Sequence, residues 1–306
     1  MEASFGVKLP GLVPAYAGSL REIPDLVVEF EKLGFDDVMD GEHILYAAEM
    51  DHPGGAGNFE HSRTEQHSDR SDTLVMFGAI AAKTTRIKMI SGILLAAAHT
   101  FAVLARQAST LDVISDGRFM LGVGGGWNVA EFEQMGIPAE ERAARTEETI
   151  RACRRLWSPG LSSFDGRWIQ FKDVICEPSP VTPGGVPVWW GGNACSKPTA
   201  RRVATLSQGW LAREGAGDAE IAASVEAIRV ACEKYGRDPS TVGIRASLTQ
   251  TSDWNAAGSV EDLTERAIAR ATRLVPLGVT HFNVPLGYYG IDLDALGALL
   301  KSLRAA

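Results

Sequence analysis

GRFMLGVGGGWNVAEF, residues 117–132, sets an apolar run from Phe119 to Val123 directly before Gly124, Gly125 and Gly126, then continues through Trp127 into a helix-prone segment. It reads as a buried strand that ends in a glycine loop and passes into a helix. The loop is not a nucleotide fingerprint: a G-x-G-x-x-G count begun at Gly122 finds Trp127 in the last glycine's place, and no Gly-Lys-Ser/Thr follows for a P-loop. What remains is backbone without Cβ atoms at the carboxyl end of a strand, able to approach another surface closely. A planar ring is one such surface, with Trp127 stacking on it or walling it; a flexible turn beside a core tryptophan is the other reading.

Working outward, the same strand-then-helix grammar recurs along the chain. Apolar strand-like runs fall at 5–10, 36–43, 87–95, 118–126, 186–192, 209–213, 241–250 and 280–285, and each is followed by a helix or a plausible helix start. In 22–33, for example, Ile23, Leu26, Val27, Phe30 and Leu33 share one helical face. Eight βα units in 306 residues predict an α/β protein with the (β/α)8 TIM barrel fold, a single domain over 1–306. An open, doubly wound sheet is the alternative topology, because strand order is not written in the pattern. Two segments exceed the length a βα connection needs. The polar, Gly- and His-rich stretch 47–71 follows strand two and is a candidate lid, or else a plain surface loop. The stretch 158–185 follows the fourth unit, and its SSFDGRWIQF alternates about Asp165-Gly166 as a small β-hairpin does.

Charge and cysteines narrow the function classes. With 30 Lys+Arg against 38 Asp+Glu the net charge is −8, so no basic footprint for nucleic acid or anionic membrane is present. No apolar stretch approaches the ~18 residues of a membrane span. Four scattered cysteines, Cys153, Cys176, Cys195 and Cys232, with no signal-like amino terminus, point to a reduced, cytoplasmic setting.

In a barrel, reacting groups sit where strands end at the C-terminal face. Glu42 and His43, at the mouth of strand two, set a carboxylate beside an imidazole there and are the candidate catalytic pair. His99, after strand three, is a second candidate, and His281, inside strand eight, reads as a core histidine. Gly191, Gly192 and Asn193 end a strand before a helix starting near Ser196, and the free N–H groups of such a helix start suit a phosphate, with Arg201 and Arg202 one turn further in. His52, His61 and His67 match no metal spacing, and no metal site is expected. No G-x-S-x-G elbow is present.

The run 106–127, RQASTLDVISDGRFMLGVGGGW, resembles the luciferase-like monooxygenase superfamily, particularly its deazaflavin-dependent branch. Leu111-Asp112, Ser115, Gly117-Arg118-Phe119, Leu121 to Gly124 and Gly126-Trp127 follow that family's pattern. VPVWWGGNACSKPTARRVATLSQGW (186–210) is similar to its P-x-W-x-G-G segment, and FDDVMDGEH (35–43) to its second strand. The resemblance implies a barrel that carries FMN or coenzyme F-420 at its C-terminal face, with the ring near Glu42-His43, strand three and Gly124-Gly125, and phosphate near Gly191-Gly192. It also implies a non-prolyl cis peptide around Ser91, Gly92 and Ile93, and a homodimer. Two departures stand out: Thr100 follows His99 where many relatives have proline, and Trp127 stands where the sugar-phosphate dehydrogenase branch has a glutamate.

The expected function is therefore a flavin- or deazaflavin-dependent oxidoreductase acting on a small organic substrate by hydride transfer or monooxygenation. The GVGGGW form favours F-420, and the tryptophans Trp127, Trp189 and Trp190 suggest an apolar or aromatic substrate, with Trp127 and His99 in its pocket. The alternatives are a non-catalytic flavin-binding barrel and a sugar-phosphate aldolase or isomerase relying on Lys8, Glu42 or Glu214.

Overall fold

Phe5 and Val7 of the first strand, β1 (Ser4–Lys8), are fully buried against the surrounding apolar shell, whereas a Cβ on the intervening Gly6 would overlap the Asp37 carboxylate inside the ring of strands. Strand side chains alternate between two faces, so this one strand already separates a barrel interior from a helix-covered exterior. The structure is a computed structural model and describes residues 2–9, 19–45, 71–250, 259–286 and 292–306.

Seven further parallel strands complete the ring in chain order: β2 (Asp37–Asp40), β3 (Lys88–Ser91), β4 (Phe119–Val123), β7 (Val188–Gly191), β8 (Gly209–Leu211), β9 (Gly243–Ser247) and β10 (His281–Pro285). β10 pairs with β1, Phe282 opposite Phe5 and Asn283 opposite Gly6, so the sheet closes. That closure rules out the doubly wound alternative, which would leave two edges. The remaining strands, β5 (Ser162–Asp165) and β6 (Gln170–Val174), form a separate antiparallel pair. Its tip is held by Glu148, whose carboxylate accepts the N–H groups of Arg167, Trp168 and Ile169. The 47–71 segment lies, except for Ser71, outside the described residues.

The helices follow their local signals. α1 (Ile23–Leu33) buries Ile23, Leu26, Val27 and Phe30 and stops at Gly34, whose φ of 97° lets its N–H reach back to Glu31 and Phe30 carbonyls. α2 (Thr73–Lys83) is capped by Asp72, and α3 (Phe101–Ile114) follows β3. α4 (Val129–Gln134) and α5 (Arg142–Leu156) follow β4, and α6 (Lys197–Leu206) follows β7.

The barrel interior is filled in layers. Arg245 forms a buried, two-armed ion pair with Asp37 and donates from Nε to Asn283, in space that Gly6 leaves open. Trp189 lies over Gly209 and Gly243, where a Cβ would meet its ring at 2.5 Å, and packs edge-on against His281. Met39, Ile90 and Leu211 join it in an apolar layer. With these layers in place the barrel is a packed core, and the strand ends on the C-terminal side are the face left for a site.

Trp189 and Trp190, which in the sequence suggest an apolar or aromatic substrate, are both buried, at 5% and 2% exposure, and so belong to the core. Alternation along β7 is the reason: it sends Trp189 into the lumen and Trp190 to the helix side, where the Arg202 guanidinium lies over its ring.

Candidate active site

Glycine lines one half of the mouth. Gly41, Gly92, Gly122, Gly124 and Gly191 stand at the ends of β2, β3, β4 and β7, and each is there for a close approach. A Cβ on Gly122 would lie 1.8 Å from the Ser91 carbonyl oxygen, and one on Gly41 would lie 2.8 Å from the Gly92 oxygen. Ser91 itself has no exposure, and its hydroxyl both donates to the Gly122 carbonyl and accepts the Gly122 N–H, each at 2.9 Å. Its side chain therefore locks β3 to β4 and presents nothing at the mouth.

The Gly92–Ile93 peptide is cis, in the place the family resemblance implied. Ile93 occupies the space its glycine neighbours vacate: a Cβ on Gly124 would meet its Cδ1 at 3.1 Å and one on Gly191 its Cγ2 at 2.6 Å. Gly125 backs onto Ala143 at the start of α5, and Gly126, at φ 63°, onto Phe132. The glycines of the opening sequence thus let loops and strands close around Ile93, leaving a partly exposed apolar surface beside bare backbone.

Glu42 and His43, adjacent in sequence, turn to different partners. The buried Glu42 carboxylate accepts the Leu95 N–H at 2.8 Å and hydrogen-bonds His99 Nε2 at 3.0 Å, while its backbone N–H donates to the Ile93 carbonyl. It clamps the segment 93–99 rather than pairing with His43. Burial disfavours a charged His99, but the hydrogen bond to Glu42 and that carboxylate's charge outweigh it, so its pKa is raised. His43 Nδ1 lies 2.9 Å from Glu131 Oε2, with the Trp127 ring edge-on at 5.4 Å between centroids.

Glu131 is the residue that sequence reasoning passed over. It is wholly buried on the first turn of α4, and its other oxygen accepts the N–H groups of Ile44 and Leu45 at 2.6 and 3.1 Å. Burial works against its charge, yet the His43 hydrogen bond and the two backbone donors prevail and its pKa is lowered. An ionised carboxylate only accepts, so Nδ1 of His43 carries the proton toward it. A signal for Glu131 exists in the sequence: Asn128-x-x-Glu131 has the spacing of a helix-start capping box immediately after the glycine loop, which places the glutamate at the C-terminal face.

The opposite half of the mouth is ionic. Lys8, ending β1, is ion-paired with Glu214 beyond β8, so two of the three groups considered for aldolase chemistry neutralise each other. At the expected phosphate site, Gly191 ends β7, Gly192 takes a φ of 124°, and among the described residues, its two chain neighbours aside, nothing lies within 4 Å of where its Cβ would be. Asn193 Oδ1 accepts the Cys195 N–H, and Ser196 caps α6 by accepting from Thr199. Arg201 and Arg202 do not face this loop as free cations. Both bind the Glu147 carboxylate of α5, and although burial opposes its ionisation, they and Arg151 hold its pKa down at about 2.

His281, with burial and then the Arg245 charge pressing its pKa down to about 4, stands at the start of β10, on the far side of the apolar layer from the mouth. The four cysteines are free thiols. Among the described residues, no cluster of potential metal ligands is found and no helix is long and apolar enough to cross a membrane.

This architecture has relatives. An uncharacterized protein of Mycobacterium tuberculosis, Rv0953c, is 32% identical over 167 residues, which are 55% of this chain and 58% of that one. The FMNH(2)-dependent dimethylsulfone monooxygenase of Pseudomonas putida is 30% identical over 171 residues, 55% of this chain and 46% of that one. The chain thus spans only about half the length of these curated relatives. Among solved structures, an F420-dependent secondary alcohol dehydrogenase in complex with an F420-acetone adduct superimposes with a TM-score of 0.74 at 16% identity, covering 99% of this chain and all of that one. The family model for luciferase-like monooxygenases matches residues 4–285, from the first residue of β1 to the last of β10, and the chain belongs to that family.

Proposed function

We propose that the protein is a flavin- or deazaflavin-dependent oxidoreductase that binds FMN or coenzyme F-420 at the barrel mouth and acts on a small organic substrate. The observation that carries this reading is the mouth itself: a half-ring of glycine strand ends around the partly exposed Ile93, with the His43–Glu131 pair following the end of β2. Cβ atoms at Gly124 and Gly191 would crowd Ile93 and close that surface, so the residues present suit a flat ring system. The backbone of Gly191, Gly192 and Asn193, ahead of the Ser196-capped helix, would hold phosphate. The relatives' dependence on FMNH(2) and on F420 supports the choice of these two cofactors.

When bound, the reduced cofactor supplies a hydride or, in the case of FMN, activates oxygen. The protein's own part is positional and acid-base. Glu42 fixes the 93–99 segment that presents Ile93, and Trp127 walls the mouth edge-on to His43. His43, its Nδ1 proton directed at Glu131, gives or takes a proton at Nε2 during substrate reduction or oxygenation. Ile93, Trp127 and the half-exposed Ile44 and Leu45 favour an apolar or aromatic substrate. A cytoplasmic homodimer completes the reading; the free thiols support the reducing compartment.

Titration with FMN and with F-420 separately, followed by cofactor oxidation with and without oxygen, tests this. Micromolar affinity for one of them is expected, with oxygen consumption if it is FMN. Failure of both to bind below the millimolar range would overturn the reading.

A further inference from the structure

We infer that Glu131 is the positioning carboxylate for His43, a role that rests on the oxidoreductase reading above and goes beyond it. Four observations converge on this buried group. One oxygen lies 2.9 Å from His43 Nδ1, the other holds the backbone N–H groups of Ile44 and Leu45, Asn128 accepts the Glu131 N–H at the start of α4, and Trp127 packs across the imidazole. The carboxylate therefore fixes both the ring of residue 43 and the backbone that follows it. A carboxylate on Nδ1 sets the tautomer: the proton stays on Nδ1, the lone pair of the neutral ring is on Nε2, and the imidazolium formed when Nε2 takes a proton is stabilised by the negative charge behind it. Proton balance is simple. Nε2 exchanges one proton with the substrate, the Nδ1 proton stays in its hydrogen bond, and Glu131 remains ionised throughout.

Nothing about the pairing requires His43 and Glu131 to be near in sequence; they are 88 residues apart and meet because β2 and β4 end at the same face. Helix α4 is short, six residues, yet its first turn is anchored by the Asn128 cap and by Phe132, which fills the space under Gly126. The carboxylate is thus delivered from a fixed base, as a positioning group must be.

Ring-nitrogen spectra of His43 in 15N-labelled protein and steady-state kinetics, on wild type, Glu131→Gln, Glu131→Asp, His43→Asn and the His43→Asn/Glu131→Gln double variant, test this. Wild type shows His43 with a protonated, hydrogen-bonded Nδ1. Glu131→Gln, nearly isosteric, loses that signature and lowers kcat about 10- to 100-fold with KM and cofactor affinity within about twofold. Glu131→Asp, which retains the charge, recovers part of the rate. The double variant is no slower than His43→Asn alone, because a group that acts only through His43 has nothing left to act on. An unchanged Nδ1 signature in Glu131→Gln, or an equal loss of rate from Glu131→Gln in the His43→Asn background, would overturn the assignment and leave Glu131 a mere tether for residues 44 and 45. If neither cofactor binds, it is the oxidoreductase reading that fails, while the spectra still decide the pairing.

Discussion

The floor and the mouth of this barrel each hold half-buried histidine and buried carboxylate, and they use them in opposite ways. At the floor, Asp37 is matched by Arg245, and His281 sits on Trp189 near that guanidinium, so burial and then a neighbouring positive charge keep its ring neutral, with a pKa near 4. At the mouth, His99 and His43 are each placed on a carboxylate, Glu42 and Glu131, and in His99 the carboxylate overcomes burial and raises the pKa. Equal burial does not dictate equal chemistry; the sign of the nearest charge does. The floor holds its histidine neutral, and the mouth holds His99 ready to take a proton.

The strongest way to break this comparison is to unbalance the floor. Arg245→Leu leaves the buried Asp37 carboxylate without its guanidinium partner, and is expected to cost about 3–5 kcal/mol of stability in urea unfolding. Cofactor affinity of the folded fraction should hold within a few-fold, and its loss would show that floor and mouth are not separable. Next in size is the wall that joins them. Gly122→Ala drives a methyl into the Ser91 carbonyl oxygen, a backbone atom with no rotamer to yield. About 1–3 kcal/mol of destabilisation is expected, together with weaker cofactor binding, because the same stretch of β3 leads into Ile93.

The two histidines then give opposite pH signatures. His281 binds its proton more readily unfolded than folded, so stability falls as pH drops below about 6.5, by about 2 kcal/mol on reaching pH 5. His281→Gln should flatten that acid limb in unfolding curves taken at pH 7, 6 and 5. The smallest effect belongs to His99. Its folded pKa is raised, so its contribution is complete below the unfolded value and is lost as pH rises through the folded one. His99→Asn should cost about 1 kcal/mol at pH 6 and less at pH 8; a cost that grows with pH would contradict the Glu42 pairing.

Much of the fold was legible because its signals are local. The eight apolar runs became eight barrel strands, Ser196 caps its helix, and the periodicity of Ile23 to Leu33 became the buried face of α1. Of the site, the mouth positions of His43, Gly124 and Gly191 were legible from their places at strand ends, and that of Ile93 only from the family resemblance. Their partners were not. Arg201 and Arg202 lie one helical turn into the expected phosphate site, yet Glu147, 54 and 55 residues away, holds them, and Trp189, which suggests an apolar substrate, is turned into the lumen by alternation along its strand.

The sequence alone determined which segments are strands and helices, because period and capping act over a few residues, and it determined that glycine stands where the strands before residues 124 and 192 end. The tertiary structure decided who faces whom: Glu42 with His99 across 57 residues, His43 with Glu131 across 88, Lys8 with Glu214 across 206. Those pairings exist only because closing the ring brings distant strand ends to one rim, where a charge finds its partner by position in the barrel and not by distance along the chain.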